Sequence, residues 1–180
     1  MTVKESCMVE IYTKDTESFS VGKVFCQNND SVVFEDIDTQ GKITGYYVMR
    51  KKIISRLDYD TEYLNKLSKY MEFAEKHSYS DWFSLKHITL NPEESLIWQV
   101  LEYAKDNNLV ITIDMDNAEE LETGYVKNIE TDKIAFTCLN ILNAQSIEDI
   151  TVAIEDINLI EFEGIDNLLL QYANTAIEAK

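Results

Sequence analysis

A mainly β chain with helices, of the α+β class and divided into two related halves, is predicted by three observations. Short runs of alternating apolar and polar residues recur along most of the chain. The run Gly22-Lys23-Val24, followed by Asp30 and the apolar Val32, Val33 and Phe34, returns 102 residues later as Gly124-Tyr125-Val126, followed by Asp132 and the apolar Ile134, Ala135 and Phe136. Each copy then closes with one more strand-like run, 53–59 and 157–162, and a helix-like one. Self-similarity at a fixed offset is the signature of a repeated structural unit.

In the first half, strands are expected over 8–12, 19–26, 31–37, 46–49 and 52–59, with Asn28-Asn29-Asp30 as a tight turn and Gly41 and Gly45 bracketing a loop. The second half repeats them over 109–115, 121–129, 133–141, 147–153 and 157–162. Between the third and fifth strands the offset drifts from 102 to 103, so one loop carries an extra residue. Three helices connect or close these units. The first follows Asp60 and Thr61, either of which can cap it, and presents Leu64, Leu67, Met71 and Ala74 on one face. The second is expected to begin at Asn91-Pro92-Glu93-Glu94, a capping side chain followed by proline and acid, with Ile97, Val100, Leu101 and Ala104 as its buried stripe. The third carries Ile165, Leu168, Leu169, Tyr172 and Ile177. A helical turn over 80–85 is a further expectation, and Trp82 and Trp98 read as aromatic packing between the units.

The expected organisation is a first β unit with its C-terminal helix over 1–77, a connecting helical segment over 78–108, and a second, acidic β unit with its helix over 109–180. Only five glycines and one proline occur, and no flexible linker is evident. Neither a signal peptide nor an apolar run of membrane-spanning length appears, so a cytoplasmic location is the expectation. Cys7, Cys26 and Cys138 are odd in number and far apart, which points to reduced thiols rather than a disulfide framework or a metal cage.

Charge is distributed unevenly. Residues 1–77 carry 11 Lys/Arg and 13 Asp/Glu, whereas residues 78–180 carry 5 and 20, which makes up the net −17 of the chain. Phosphate backbones are held by Lys and Arg that displace counterions, and the second half offers few of them. An acidic face is instead suited to solubility or to a basic partner.

A helix with five short, bent antiparallel strands resembles the Sm-like small barrel, and Gly22-Lys23-Val24 with Asp30 and Val32 to Phe34 is similar to that family's first motif. Gly124 to Phe136 is similar again, and the helix near Pro92 stands where the family places its N-terminal helix. The chain also resembles tandem-barrel proteins of low-GC Gram-positive bacteria. The resemblance implies two tandem five-stranded Sm-like small barrels, each flanked by helices, and raises RNA binding. Against the latter, the loops that would have to be basic read Glu130-Thr131-Asp132 and Ile154-Glu155-Asp156 in the second copy.

The candidate chemistry is sparse. Asp36, Asp38, Gln40 and Gly41 imitate the start of a calcium loop, but Tyr47 occupies the position of its bidentate glutamate, so a turn is the reading. His77 and His87 are the only histidines and have no metal-ligand spacing around them. No cofactor or metal is indicated, and no nucleotide-binding, hydrolase or metalloprotease motif occurs. Catalysis would require a deep pocket with converging carboxylates of perturbed pKa.

The function expected is therefore that of a non-enzymatic acidic binding or adaptor protein engaging a basic protein surface. Its candidate contacts are Glu119, Glu120, Glu122, Glu148, Asp149, Glu155 and Asp156, near loop ends of the second unit. A sharper form is an immunity or inhibitor protein, or a nucleic-acid mimic. The rival is a weak RNA-binding module using Tyr46, Arg50, Lys51, Lys52 and Arg56. That basic cluster could equally dock on the acidic half of a second copy, giving self-association.

Overall fold

The sheet begins with five strands of the first half: β1 (Met8–Thr13), β2 (Phe19–Gln27), β3 (Ser31–Ile37), β4 (Ile43–Arg50) and β5 (Ile54–Asp58), followed by helix α1 (Glu62–Lys76). Helix α2 (Leu96–Asp106) leads into β6 (Val110–Met115), β7 (Glu122–Ile129), β8 (Lys133–Leu139), β9 (Ser146–Ala153) and β10 (Ile157–Phe162), and helix α3 (Ile165–Glu178) ends the chain. This computed structural model describes residues 7–14, 18–78, 88–116, 118 and 120–179. Trp82, His87, Glu119 and the turn expected over 80–85 lie outside the described residues. No helix among the described residues is long and apolar enough to cross a membrane.

All ten strands form one antiparallel sheet in the order β5-β1-β2-β3-β4-β10-β6-β7-β8-β9. The repeat read from the sequence persists in the register. Val9 faces Gly22 as Ile111 faces Gly124, and Glu10 faces Asp58 as Thr112 faces Glu161. The irregularity between Val24 and Cys26 returns between Val126 and Asn128. The extra residue lies between the third and fourth strands, where 38–42 in one half correspond to 140–145 in the other.

The halves meet where β4 pairs with β10, Val48 facing Ile160 and Tyr46 facing Phe162. Around this seam lies the largest core. Leu96, Ile97, Val100, Leu101 and Ala104 of α2 are buried among Val33, Tyr46 and Val48 of the first half and Ile111, Phe136, Ile160 and Phe162 of the second. Each large aliphatic side chain buried there contributes about 1.5–3 kcal/mol. A smaller core, with Val9, Ile11, Val24, Val32, Phe34, Met49 and Ile54, belongs to the first half, and α1 covers a third cluster through Leu64 and Leu67.

The expected start of the second helix is corrected. Helix α2 starts at Leu96, not at Pro92, because the Ser95 hydroxyl accepts the Trp98 amide at 3.3 Å. Asn91 to Glu94 instead form a turn, tied by Asn91 Oδ1 to the Glu93 amide and by the Gln99 side chain to the Asn91 backbone. Helix α3 turns most of its apolar stripe outward, with Tyr172 78% exposed and Leu169 and Ile177 also exposed. Its sheet-facing side is polar. Asn167 accepts from Thr112, Gln171 bonds the backbone of Val110 and Asn108, and Asn174 joins Tyr125 to the Ala144 carbonyl. Buried amides of this kind are tolerated because they find partners. At α1 the choice of cap is settled by Thr61, whose hydroxyl accepts the Leu64 amide at 3.1 Å, while Asp60 takes a left-handed φ of 57°.

Gly124 on β7 lies against the β8 backbone, and a Cβ there would overlap the Thr137 carbonyl. Gly124→Ala should lower the unfolding free energy by about 1–3 kcal/mol, the usual range for forced overpacking, as measured by urea denaturation. An unchanged midpoint would show that the strands separate freely at this point.

Candidate functional site

The cations of the basic cluster proposed for RNA are engaged by groups of their own chain. Arg50 donates through Nε to the Ile157 carbonyl at 2.7 Å, through Nη2 to the Ile154 carbonyl at 3.0 Å, and pairs with Asp30 at 2.6 Å. Lys51 donates to the Gln27 side chain and the Asn28 carbonyl, and Lys52 pairs with Asp116 at 2.7 Å. Arg56 pairs with Asp58 and lies over the Tyr12 ring. Tyr46 is 1% exposed and stacks on Phe162, so its ring is not presented to a base. Two of these cations, Arg50 and Lys52, tie one half of the chain to the other.

The acidic residues separate into two groups. At the free edge of the sheet, Glu148 and Asp149 on β9 line a cleft of about 790 Å³ between β7, β9 and α3, together with Ile147, Lys127 and Glu178. Asp149 accepts from Thr137 at 2.7 Å and from Lys127 at 3.1 Å, and these contacts hold its carboxyl below the usual range. Glu178 is held low by Ser146 and Asn174. Ile147 in this lining is exposed, as are Ile141 and Leu142 in the loop between β8 and β9, Leu142 by 92%. Glu122 is half-buried near Cys138, whose thiol is pushed up to about 12 by burial, then by Glu122, Glu148 and Asp149. Glu155 and Asp156 form the second group, exposed in a 3₁₀ turn at the far end of β9, about 20 Å from Glu148 at strand rise. Glu120 is exposed in the bend before β7.

The segment that imitates a calcium loop closes as a turn after β3. Asp38 Oδ1 accepts the amides of Gln40 and Lys42, each at 2.8 Å, so this carboxylate closes a turn. No metal-binding group of His, Cys, Asp and Glu occurs among the described residues. His77 is exposed and stacks on Phe73. Cys7 is exposed, unlike the buried Cys138 and half-buried Cys26.

A second cavity was not read from the sequence. It is a groove of about 380 Å³ on one face of the sheet, crossing from β1 through β4 and β10 to β6. Phe34, Met49 and Leu159 form part of its wall, and Asp36, Tyr47, Asp114, Asn158 and Glu161 reach it. The Tyr47 hydroxyl lies 3.4 Å from Glu161, and the Thr44 hydroxyl donates to Asp36. Burial, with Asp36 and Asp166 adding repulsion, raises the Glu161 carboxyl from 4.5 to about 7. Burial likewise raises Asp36 and Tyr47. The available signal was positional: Asp36 follows Phe34, and Glu161 follows Leu159, at the two-residue step that continues the same face of a strand. No protein-family model, curated protein or solved structure matches this chain.

Folded Glu161 keeps its proton to higher pH than the unfolded chain does, so stability should fall as pH rises from 4.5 towards 7. Its contribution to that fall is about 2–3 kcal/mol, and the raised Asp36 acts in the same direction. Urea denaturation across this range should give a steeper decline for the native chain than for Glu161→Gln. Parallel slopes would show that Glu161 titrates normally.

Proposed function

We propose that this chain is a non-enzymatic cytoplasmic binding protein, built of two five-stranded Sm-like units joined edge to edge, whose acidic half engages a basic protein surface. The observation that carries this reading is the unequal fate of the charges. Arg50 and Lys52 are occupied in the seam between the halves, whereas Glu148, Glu155 and Asp156 stand exposed. The tandem arrangement is supported by the same strand order and the same registers recurring on either side of the β4–β10 seam.

Of the two acidic groups, the β9 cleft fits a protein partner better. It joins carboxylates held in their charged form to the exposed Ile147, and the loop leading into β9 exposes Ile141 and Leu142. Exposed apolar surface with a polar rim is a common composition for a docking surface. A basic, partly apolar segment is the matching partner, and an immunity or inhibitor protein, or a nucleic-acid mimic, would use the same surface. RNA recognition and self-association through Arg50 to Arg56 are less well served, because those cations already hold acids or carbonyls of their own chain.

Capture from the host cytosol should therefore recover a basic protein that elutes with salt. Glu148→Lys with Asp149→Lys should weaken its retention about tenfold or more, while Glu93→Lys with Glu94→Lys, away from the cleft, leaves it unchanged. Competition by DNA or RNA for the recovered protein would identify mimicry. Recovery of RNA that binds the purified chain and is lost in Lys52→Ala with Arg56→Ala would overturn the reading.

A further inference from the structure

Strand β9 closes one end of the sheet, and its outer side pairs with no strand among the described residues. The Ile154 amide donates to the Asp132 carbonyl on the β8 side, and Val152 faces Ile134. Backbone groups alternate in direction along an antiparallel strand, so Asp149, Thr151 and Ala153 turn their N–H and C=O groups outward. This edge is eight residues long and exposed over 146–149 and at Thr151. Such a row of unpaired backbone groups is a template for one more strand.

The first half shows what covers an edge of this kind. Strand β9 is the counterpart of β4, Val152 facing Ile134 as Met49 faces Val32, and β10 lies along β4 through four antiparallel pairs. The counterpart of β10 is β5, at the opposite end of the sheet, which makes a second copy of the chain the first candidate occupant. Two residues argue against it. Gly45 lets β4 meet the start of α3, since a Cβ there would lie 2.7 Å from the Gly164 Cα. At the offset of 103, Gly45 becomes Glu148, and Gly164 becomes Thr61 at the start of α1. The β5–α1 corner of a second copy would therefore meet the Glu148 side chain. Arg50, which clamps the Ile154 and Ile157 carbonyls, becomes Ala153, which cannot donate. The β9 edge is open to a strand, but not to one that carries a helix at its end.

Charge stands at both ends of this edge. Glu148 and Asp149 lie near its start, with Ile147 and Glu178 in the cleft, and Glu155 and Asp156 are exposed in the turn that follows it. Between them, 150–153 carry no charge. The cations of the cleft lining are Lys105 and Lys127, and Lys127 is already paired with Asp149. The two acidic groups thus flank one strand.

Resting on the reading that the acidic half meets a basic protein, we propose that the partner docks as an extended segment that adds antiparallel to β9 as an eleventh strand. It carries a Lys or Arg at each end, about seven residues apart, around an uncharged, β-prone run. Backbone pairing along 149–153 holds the segment, and the charged ends set its register.

The test is fluorescence anisotropy of the full chain with a labelled peptide, Lys-Thr-Val-Thr-Val-Thr-Val-Arg, against the same peptide N-methylated throughout its central run. Saturable one-to-one binding is expected for the first, and N-methylation, which keeps the charge but removes the backbone donors, should weaken it about tenfold or more. Hydrogen exchange of the Thr151 and Ala153 amides should slow on binding. Thr151→Pro removes an outward donor and leaves the bonds to β8 intact, so it should weaken binding about tenfold or more while far-ultraviolet circular dichroism stays native. The proposal is overturned by the absence of saturable binding, by equal binding of the two peptides, or by full affinity in a folded Thr151→Pro chain. It is overturned too by a dimer of the chain alone that Thr151→Pro dissociates in sedimentation, which would give the edge to a second copy. A basic cytosolic protein that Thr151→Pro retains but Glu148→Lys with Asp149→Lys loses would overturn the added strand and leave the acidic docking surface standing. Absence of any salt-eluted basic protein would overturn the docking surface itself.

Discussion

Strand β10 pairs on both sides, with β4 of the first half and with β6 of the second. Without it the edges of β4 and β6 would expose rows of backbone donors and acceptors, and such groups must be paired or solvated. The same six residues serve both faces of the sheet. Ile160 and Phe162 join the core under α2, while Leu159 and Glu161 line the groove. Arg50 adds a polar clamp by donating to the Ile157 carbonyl at the start of this strand. Fold and groove therefore depend on a single backbone register.

Carboxyl groups of the same kind are used in opposite ways at the two cavities. On β9 and α3, Asp149 and Glu178 are solvated, receive donated hydrogen bonds and stay charged well into the acid range. In the groove, desolvation outweighs the hydrogen bonds reaching Asp36 and Glu161, and both hold their protons longer. A buried carboxylate without a cation is costly, whereas an exposed one is not. The acidic edge is thus a permanent source of negative potential, and the groove gains its charge only when a cation or a higher pH supplies the compensation.

Much of the β framework was legible in the sequence because it is local. Alternation placed the strands, the recurring glycine and turn residues exposed the repeat, and the one-residue slip pointed to the longer loop at 140–145. What the sequence hid depends on distant partners. Arg50 read as a surface cation until β10 arrived beside it, 107 residues away in the chain. Helix α3 looked like an ordinary apolar stripe because Asn167, Gln171 and Asn174 gain their value only from carbonyls and hydroxyls on other elements. At α2 the stronger-looking signal, Asn91 with Pro92, lost to Ser95, whose hydroxyl is in place to cap. The groove was concealed for the same reason: Asp36, Asn158 and Glu161 become neighbours only across the seam.

The late position of β10 has a consequence for synthesis. The first five strands leave the ribosome long before residues 157–162 do, so the nascent first half must wait with the β4 edge unmatched and with Tyr46 and Val48 lacking the α2 side chains that cover them. Long-range strand pairing is slow and leaves edges open to wrong partners in the interval. Glu35 and Asp36 on β3 and Arg50 at the end of β4 place charge beside this waiting edge. The polar residues that furnish the finished groove and seam would also act as gatekeepers during translation, discouraging one unfinished chain from pairing with the next.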